Sequence, residues 1–361
     1  MPPHPLDTTF QTLARDAARW RTVNDWPSDS LVLCGRSGLF RGLSGLATDP
    51  DSDSGWSPQR QLETMMELAT ADLLTTFVIT QHLGAIKRLL NADHAANNPS
   101  SRQRLGHLLS GDQIASVGIS HLTTSRRHLN RPAVLAQRVD GGYRLTGTIP
   151  WVTGARHVDQ IVVGASLDDQ SELLALITPD DPGVDCGPGA EMIAMTASCT
   201  DQVILDDVFV ADAMIISGPK ADVLTAVGQS QTAPTGAGGL QTSALALGLS
   251  TAALNYLRSE SEQREHLRAI VDRFSVEHQS LRELILAAAA GQSACDSASI
   301  RSTANGLVQR TTSAAMTTAK GAGLMIDHPV GRWCQQAFFF LVWSCPQPVA
   351  QAHLCELVGL E

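Results

Sequence analysis

The chain has 361 residues, 43% of them hydrophobic and 17% charged, with a formal net charge of −10. That length predicts two or three domains with ample core material, and the composition excludes disorder and a coiled-coil rod. The acid excess argues against a nucleic-acid partner: the densest basic run, SRRHLNR at 125–131, reads as a solvated loop.

The first third reads helical. LDTTFQTLARDAARW (6–20) carries apolar residues at helical spacing, and SLVLCGRSGLFRGL and the turn-rich TDPDSDSGWSPQ follow. A long Ala- and Leu-rich stretch, QRQLETMMELATADLLTTFVITQHLGAIKRLLNA, is then expected as one helical run, and SSRQRLGHLLSGDQ as a further helix. The middle third changes period. AVLAQRVDGGYRLTGTIPWV predicts two strands around Asp140-Gly141-Gly142, and DQIVVGASL, ELLALITPD and QVILDDVFV predict further short strands. DDPGVDCGPG reads as a turn segment, and residues 229–239 as a low-complexity linker. The last third is helical again and ends in an apolar helix over 331–343, which suggests an antiparallel bundle.

Seven cysteines without a CxxC pair suggest reduced thiols in the cytoplasm. No HExxH or clustered Cys/His spacing points to a metal site. The N-terminal MPPHPLDTTF has no basic segment ahead of an apolar one, so no signal peptide is expected. The longest apolar run, AFFFLVW (337–343), is too short to cross a bilayer, so no membrane partner is expected.

Four segments in this order resemble the acyl-CoA dehydrogenase superfamily: RQRLGHLLSGDQIAS (102–116), RVDGGYRLTGTIPWVTGARHVDQIVVGA (138–165), DDPGVDCGPG with MTASCTDQVILDDVFV (195–210), and DHPVGRWCQQAFFFLVWSCPQPV (327–349). The resemblance covers almost the whole chain. It implies a multidomain α+β fold: an N-terminal helical domain (1–115), a middle β-barrel or sandwich domain (116–218) and a C-terminal four-helix bundle (219–361). It also implies bound FAD and a homodimer or homotetramer.

The resemblance assigns roles residue by residue. Trp151 takes the place of the Trp that packs on the flavin ring, and Thr153 that of the hydroxyl that bonds the N5 region. Those roles suit a flat indole face and a hydroxyl donor. Ser120 replaces a Thr at the flavin pyrimidine edge. His121 stands where the family has Glu, and is a titratable candidate catalytic group. The family's CoA-holding loop is replaced by TTSRRHLN, where Arg126 and Arg127 are candidates for a substrate phosphate. Ser198 and Thr200 keep a family Ser and Thr, and Ser198 is a candidate cofactor-binding residue. The nominal position of the family's pyrophosphate arginine holds Glu260, and Arg264 or Arg268 is the candidate substitute. Gly321 and Gly323 belong to a reduced glycine motif at the cofactor.

The departures concern catalysis. Family dehydrogenases take an α-proton with a Glu, and Ser344 occupies that position. The alternative base position of some relatives falls near Gly238. A Ser hydroxyl is no base without an activating partner. The expected function is therefore an FAD-dependent oxidoreductase acting on the CH–CH group of an acyl thioester, acyl-CoA included, or of a related compound. Two alternatives stand beside it: a flavin monooxygenase of the same fold, which needs no α-proton base, and a non-catalytic binding subunit.

Overall fold

The computed structural model describes residues 5–48, 55–92, 99–123, 132–224, 239–293 and 295–359. Arg126, Arg127, Gly238 and all of the low-complexity segment except Gly239 lie outside the described residues.

The N-terminal helices are α1 (Pro5–Asp16), α2 (Ser28–Arg36), α3 (Leu39–Leu43), α4 (Pro58–Ala71), α5 (Leu73–Leu90) and α6 (Pro99–Ser110). Helix α4 starts on a Ser57 cap, whose hydroxyl accepts from the Arg60 N–H, with Pro58 in the first turn. The single long helix expected here is two helices, broken at Asp72. Asp72 adopts an extended backbone (φ −154°, ψ 101°), and its carboxylate accepts from the Leu74 N–H. A short acceptor side chain competes with helical continuation and caps the next helix instead. Its second oxygen accepts from Trp20 Nε1 at 2.7 Å and Thr75 Oγ1 at 2.5 Å. The break therefore also ties α5 to the segment that leads out of α1. Helix α5 is buried along most of its length, which explains its near-continuous apolar sequence.

The middle of the chain forms one eight-stranded sheet: β1 (Ala115–Gly118), β2 (Val134–Val139), β3 (Gly142–Val152), β4 (Gln160–Ser166), β5 (Glu172–Ile177), β6 (Val184–Cys186), β7 (Asp201–Ala211) and β8 (Ile215–Lys220). A one-turn helix, α7 (Ser120–Thr123), follows β1. The strand order is β6-β7-β3-β2-β4-β5-β8, with β1 added parallel to β4. The expected hairpin is closed by the Val139–Gly142 pair around Asp140-Gly141, with Gly141 at φ 75°. Strand β6 lies inside the stretch read as a turn; its three residues carry too short a pattern to announce themselves.

The C-terminal helices are α8 (Leu240–Ser261), α9 (Arg268–Ala289), α10 (Ser297–Ala319), α11 (Pro329–Val342) and α12 (Gln347–Leu357). Helix α8 packs on α9 and α10, and also on α4 among the N-terminal helices. A Cβ on Gly248 would sit 2.5 Å from the Met66 carbonyl, so this glycine permits the close approach of α8 to α4. Among the described residues no helix is long and apolar enough to cross a membrane. No group of His, Cys, Asp or Glu among them is arranged to hold a metal ion.

Candidate functional site

The site is built at the end of the β3–β7 ladder. The pairing of Val152 with Asp201 brings Thr153 opposite Thr200 just beyond the last rung. The register shifts between Ile149 and Val152, and this irregularity precedes the point where the chain leaves the sheet. Within it Trp151 stands 55% exposed, an unusual state for so large an apolar ring. Behind it the hydroxyls form a chain. Thr153 Oγ1 lies 3.0 Å from Thr200 Oγ1, which lies 2.8 Å from Ser198 Oγ. Ser198 is held in a 3₁₀ turn (Thr196–Ser198) flanked by Met195 and Cys199, both in left-handed conformation. Helix α5 packs against that turn and forms one wall beside it.

The N-terminal segment is fastened to the sheet region near this turn. Trp26 stacks on His157 with centroids 5.2 Å apart, and Gly154 lies directly against the Trp26 ring. The Cys199 thiol donates to the Val23 carbonyl at 3.1 Å.

The other expected site residues belong to other elements, of which α7 contacts β3. Ser120 opens α7. His121 is buried, and its Nε2 lies 3.0 Å from the Gly164 carbonyl of β4. That bond ties the ring to the sheet. Ser344 is an exposed turn residue with φ 43°, just past the end of α11. Arg264 is committed within the protein: Nη2 pairs with Glu260 at 3.1 Å and Nη1 donates to the Thr318 carbonyl at 2.8 Å. Gly321 has open space around it, whereas Gly323 is buried against Met316. The Gly323 carbonyl lies 2.7 Å from where a Cβ on Gly331 would sit, which identifies a packing role for both glycines.

One residue that sequence reasoning missed governs the Ser344 turn. Arg301 on α10 is fully buried. Its Nη2 donates to the Phe340 and Trp343 carbonyls at 3.0 Å each, and its Nε to Asn305 Oδ1 at 2.9 Å. These bonds satisfy carbonyls at the end of α11 that the helix itself leaves open. No carboxylate pairs with Arg301 among the described residues, and burial lowers its pKa to about 10. Nothing in the sequence pattern distinguishes it from a helix-surface arginine. Beside it, Phe77, Phe339 and Trp343 form an aromatic cluster with centroids 4.8 to 5.1 Å apart, between α5 and the α11 end.

A helical domain, a mixed β-sheet and a helical bundle in this order make the acyl-CoA dehydrogenase fold. The glutaryl-CoA dehydrogenase structure determined with glutaryl-CoA superposes with a TM-score of 0.79 at 18% identity, covering 100% of this chain and 97% of that one. The FAD complex of PigA superposes at 0.76 and 15% identity, covering 100% and 99%. No family model matches the chain. In sequence it is 30% identical over 168 residues to benzylmalonyl-CoA dehydrogenase of Aromatoleum aromaticum, across 46% of this chain and 43% of that protein. It is 28% identical over 173 residues to isobutylamine N-hydroxylase of Streptomyces viridifaciens, across 42% and 46%. The matches thus span less than half the length of either relative. The resemblance to the acyl-CoA dehydrogenase superfamily holds for the fold along the whole chain and for sequence over less than half of it.

Proposed function

We propose that the chain is an FAD-dependent oxidoreductase acting on the CH–CH group of an acyl thioester or a related carbonyl compound. The observation that carries this reading is Trp151: a half-exposed indole next to buried hydroxyls at a strand end, where a flat ring can stack and be hydrogen-bonded at once. Among three hydroxyls joined by two hydrogen bonds, one proton is left over. The ring end of a flavin fits that arrangement. At the pyrophosphate end the fit is looser, since Arg264 already pairs with Glu260 and an arriving anion must compete with that carboxylate.

Bound flavin supplies the two-electron acceptor. This chain's residues would hold it: Trp151 would stack on one ring face, Thr153 would donate to a ring nitrogen, and Ser120 would meet the ring edge. Similarity to a benzylmalonyl-CoA dehydrogenase supports a thioester substrate. Ser344 stands at the family's base position without a carboxylate, and the bond of His121 to Gly164 favours a structural role for that ring. The lack of a base there favours a second reading, a flavin monooxygenase, which similarity to an amine N-hydroxylase also supports. A homodimer or homotetramer and a cytoplasmic location belong to the same proposal.

The test is the absorbance spectrum of the purified protein with and without added FAD. Flavin bands at one equivalent per chain are the expected result. Turnover of acyl-CoAs with an artificial electron acceptor then supports the dehydrogenase, and oxygen uptake with reduced flavin the monooxygenase. A chain that neither retains nor takes up FAD removes both readings and leaves a binding protein.

A further inference from the structure

We infer that Ser198 and Thr200 are positioning residues that force the Thr153 hydroxyl to present its proton outward, so that the site discriminates between oxidised and reduced flavin. The inference rests on the flavin reading above and on a count of donors. Ser198, Thr200 and Thr153 lie in series at 2.8 and 3.0 Å, and no other hydrogen bond engages their hydroxyls among the described residues. Three protons and two internal bonds leave one proton over.

Burial excludes one destination for that proton. Ser198 is 0% exposed, whereas Thr153 and Thr200 retain 4% and 9%. If the series runs inward, from Thr153 to Thr200 to Ser198, the spare proton ends on Ser198, sealed away from any acceptor. A buried unmet donor disfavours that direction by about tenfold or more. If the series runs outward, each hydroxyl donates to the next and the spare proton emerges at Thr153, two residues from the exposed Trp151. A Thr200 that accepted from both neighbours would send its own proton out instead, but only the serial arrangement lets each bond polarise the next.

An outward-poled Thr153 meets a ligand atom as a donor. It favours a ring nitrogen that carries a lone pair and opposes one that carries a hydrogen. The flavin ring presents the first when oxidised and the second when reduced. Ser198, buried behind the other two, therefore tunes the cofactor through two intervening hydroxyls.

The experiment is the reduction potential of FAD bound to the full-length protein, equilibrated against a redox dye, for wild type, S198A, T200V and T200S. Cutting or shortening the series frees the Thr153 proton to turn away. S198A and T200V are each expected to raise the ratio of reduced to oxidised affinity by about tenfold, a shift of ~30 mV to more positive potential for a two-electron couple. T200S keeps the hydroxyl and is expected to return to the wild-type potential, which separates positioning from packing. If S198A and T200V bind FAD at the wild-type potential, the poling is wrong and the flavin reading stands. If the wild type binds no FAD, the flavin reading fails and the poling falls with it.

Discussion

Trp151 and Arg301 show how burial separates a site residue from a scaffold residue of equal prominence. Trp151 gives little to the core, so its removal is expected to change folding stability by no more than about 0.5 kcal/mol. A stacked aromatic contact contributes roughly 0.5–1.5 kcal/mol beyond the area it buries, so Trp151→Ala is expected to weaken FAD binding by about tenfold. Fluorescence titration with FAD, alongside urea unfolding of the same variant, reads the two effects separately. Equal affinity in wild type and variant would place the ring elsewhere. Arg301 behaves in the opposite way: all of its bonds lie inside the protein, and they fix the turn that carries Ser344. Trp151 was legible in the sequence because a familiar motif surrounds it. Arg301 was not, because its partners are main-chain carbonyls some 40 residues away, and no side-chain pattern marks a carbonyl.

At the scale of elements, what was legible followed period and turn chemistry. The β2–β3 hairpin was readable from Asp140-Gly141, and the apolar α11 from its uninterrupted run. The break between α4 and α5 was missed because helical periodicity continues through Asp72, whose capping role depends on Trp20, 52 residues away. Strand β1 was missed because its four residues gain their pairing from β4. His82 on α5 shows what such cross-element bonds imply. It is fully buried; its Nε2 lies 3.0 Å from the Leu108 carbonyl of α6, and its Nδ1 accepts from the Ala115 N–H of β1 at 3.0 Å. Those partners select the neutral tautomer protonated on Nε2. Burial lowers its pKa from 6.5 to about 4. A folded-state pKa below the unfolded one means that the folded protein binds fewer protons. The contribution is therefore complete above pH 6.5 and is lost as pH falls from there through 4. The linkage amounts to roughly 3 kcal/mol. Urea unfolding midpoints between pH 7 and pH 4 are expected to fall, and His82→Asn is expected to flatten the part of that slope that His82 supplies. A slope unchanged in the variant would assign the acid sensitivity to other groups.

For the molecule as a whole, the surface around α11 carries a cluster of exposed apolar side chains. Leu324, Met325 and Ile326 are consecutive and 78%, 66% and 80% exposed. Scattered exposed apolar residues need no explanation, but three together beside a helix that also exposes Phe338 and Val342 favour a covered surface. A second copy is the occupant we propose, since most soluble oligomers are symmetric homo-oligomers. The location bears on function: Lys320–Leu324 is the turn that contains Gly321 and Gly323, and Arg264 bonds Thr318 immediately before it. Flavin affinity and assembly should therefore be linked. Ile326→Glu is expected to shift the sedimentation coefficient to that of a 38.4 kDa monomer with an unchanged circular dichroism spectrum. If the partner completes the pyrophosphate end of the site, FAD affinity falls together with assembly and recovers at protein concentrations that restore the oligomer. If the variant dissociates and still binds FAD with wild-type affinity, the cofactor is held by one chain alone, and the exposed apolar run serves assembly only.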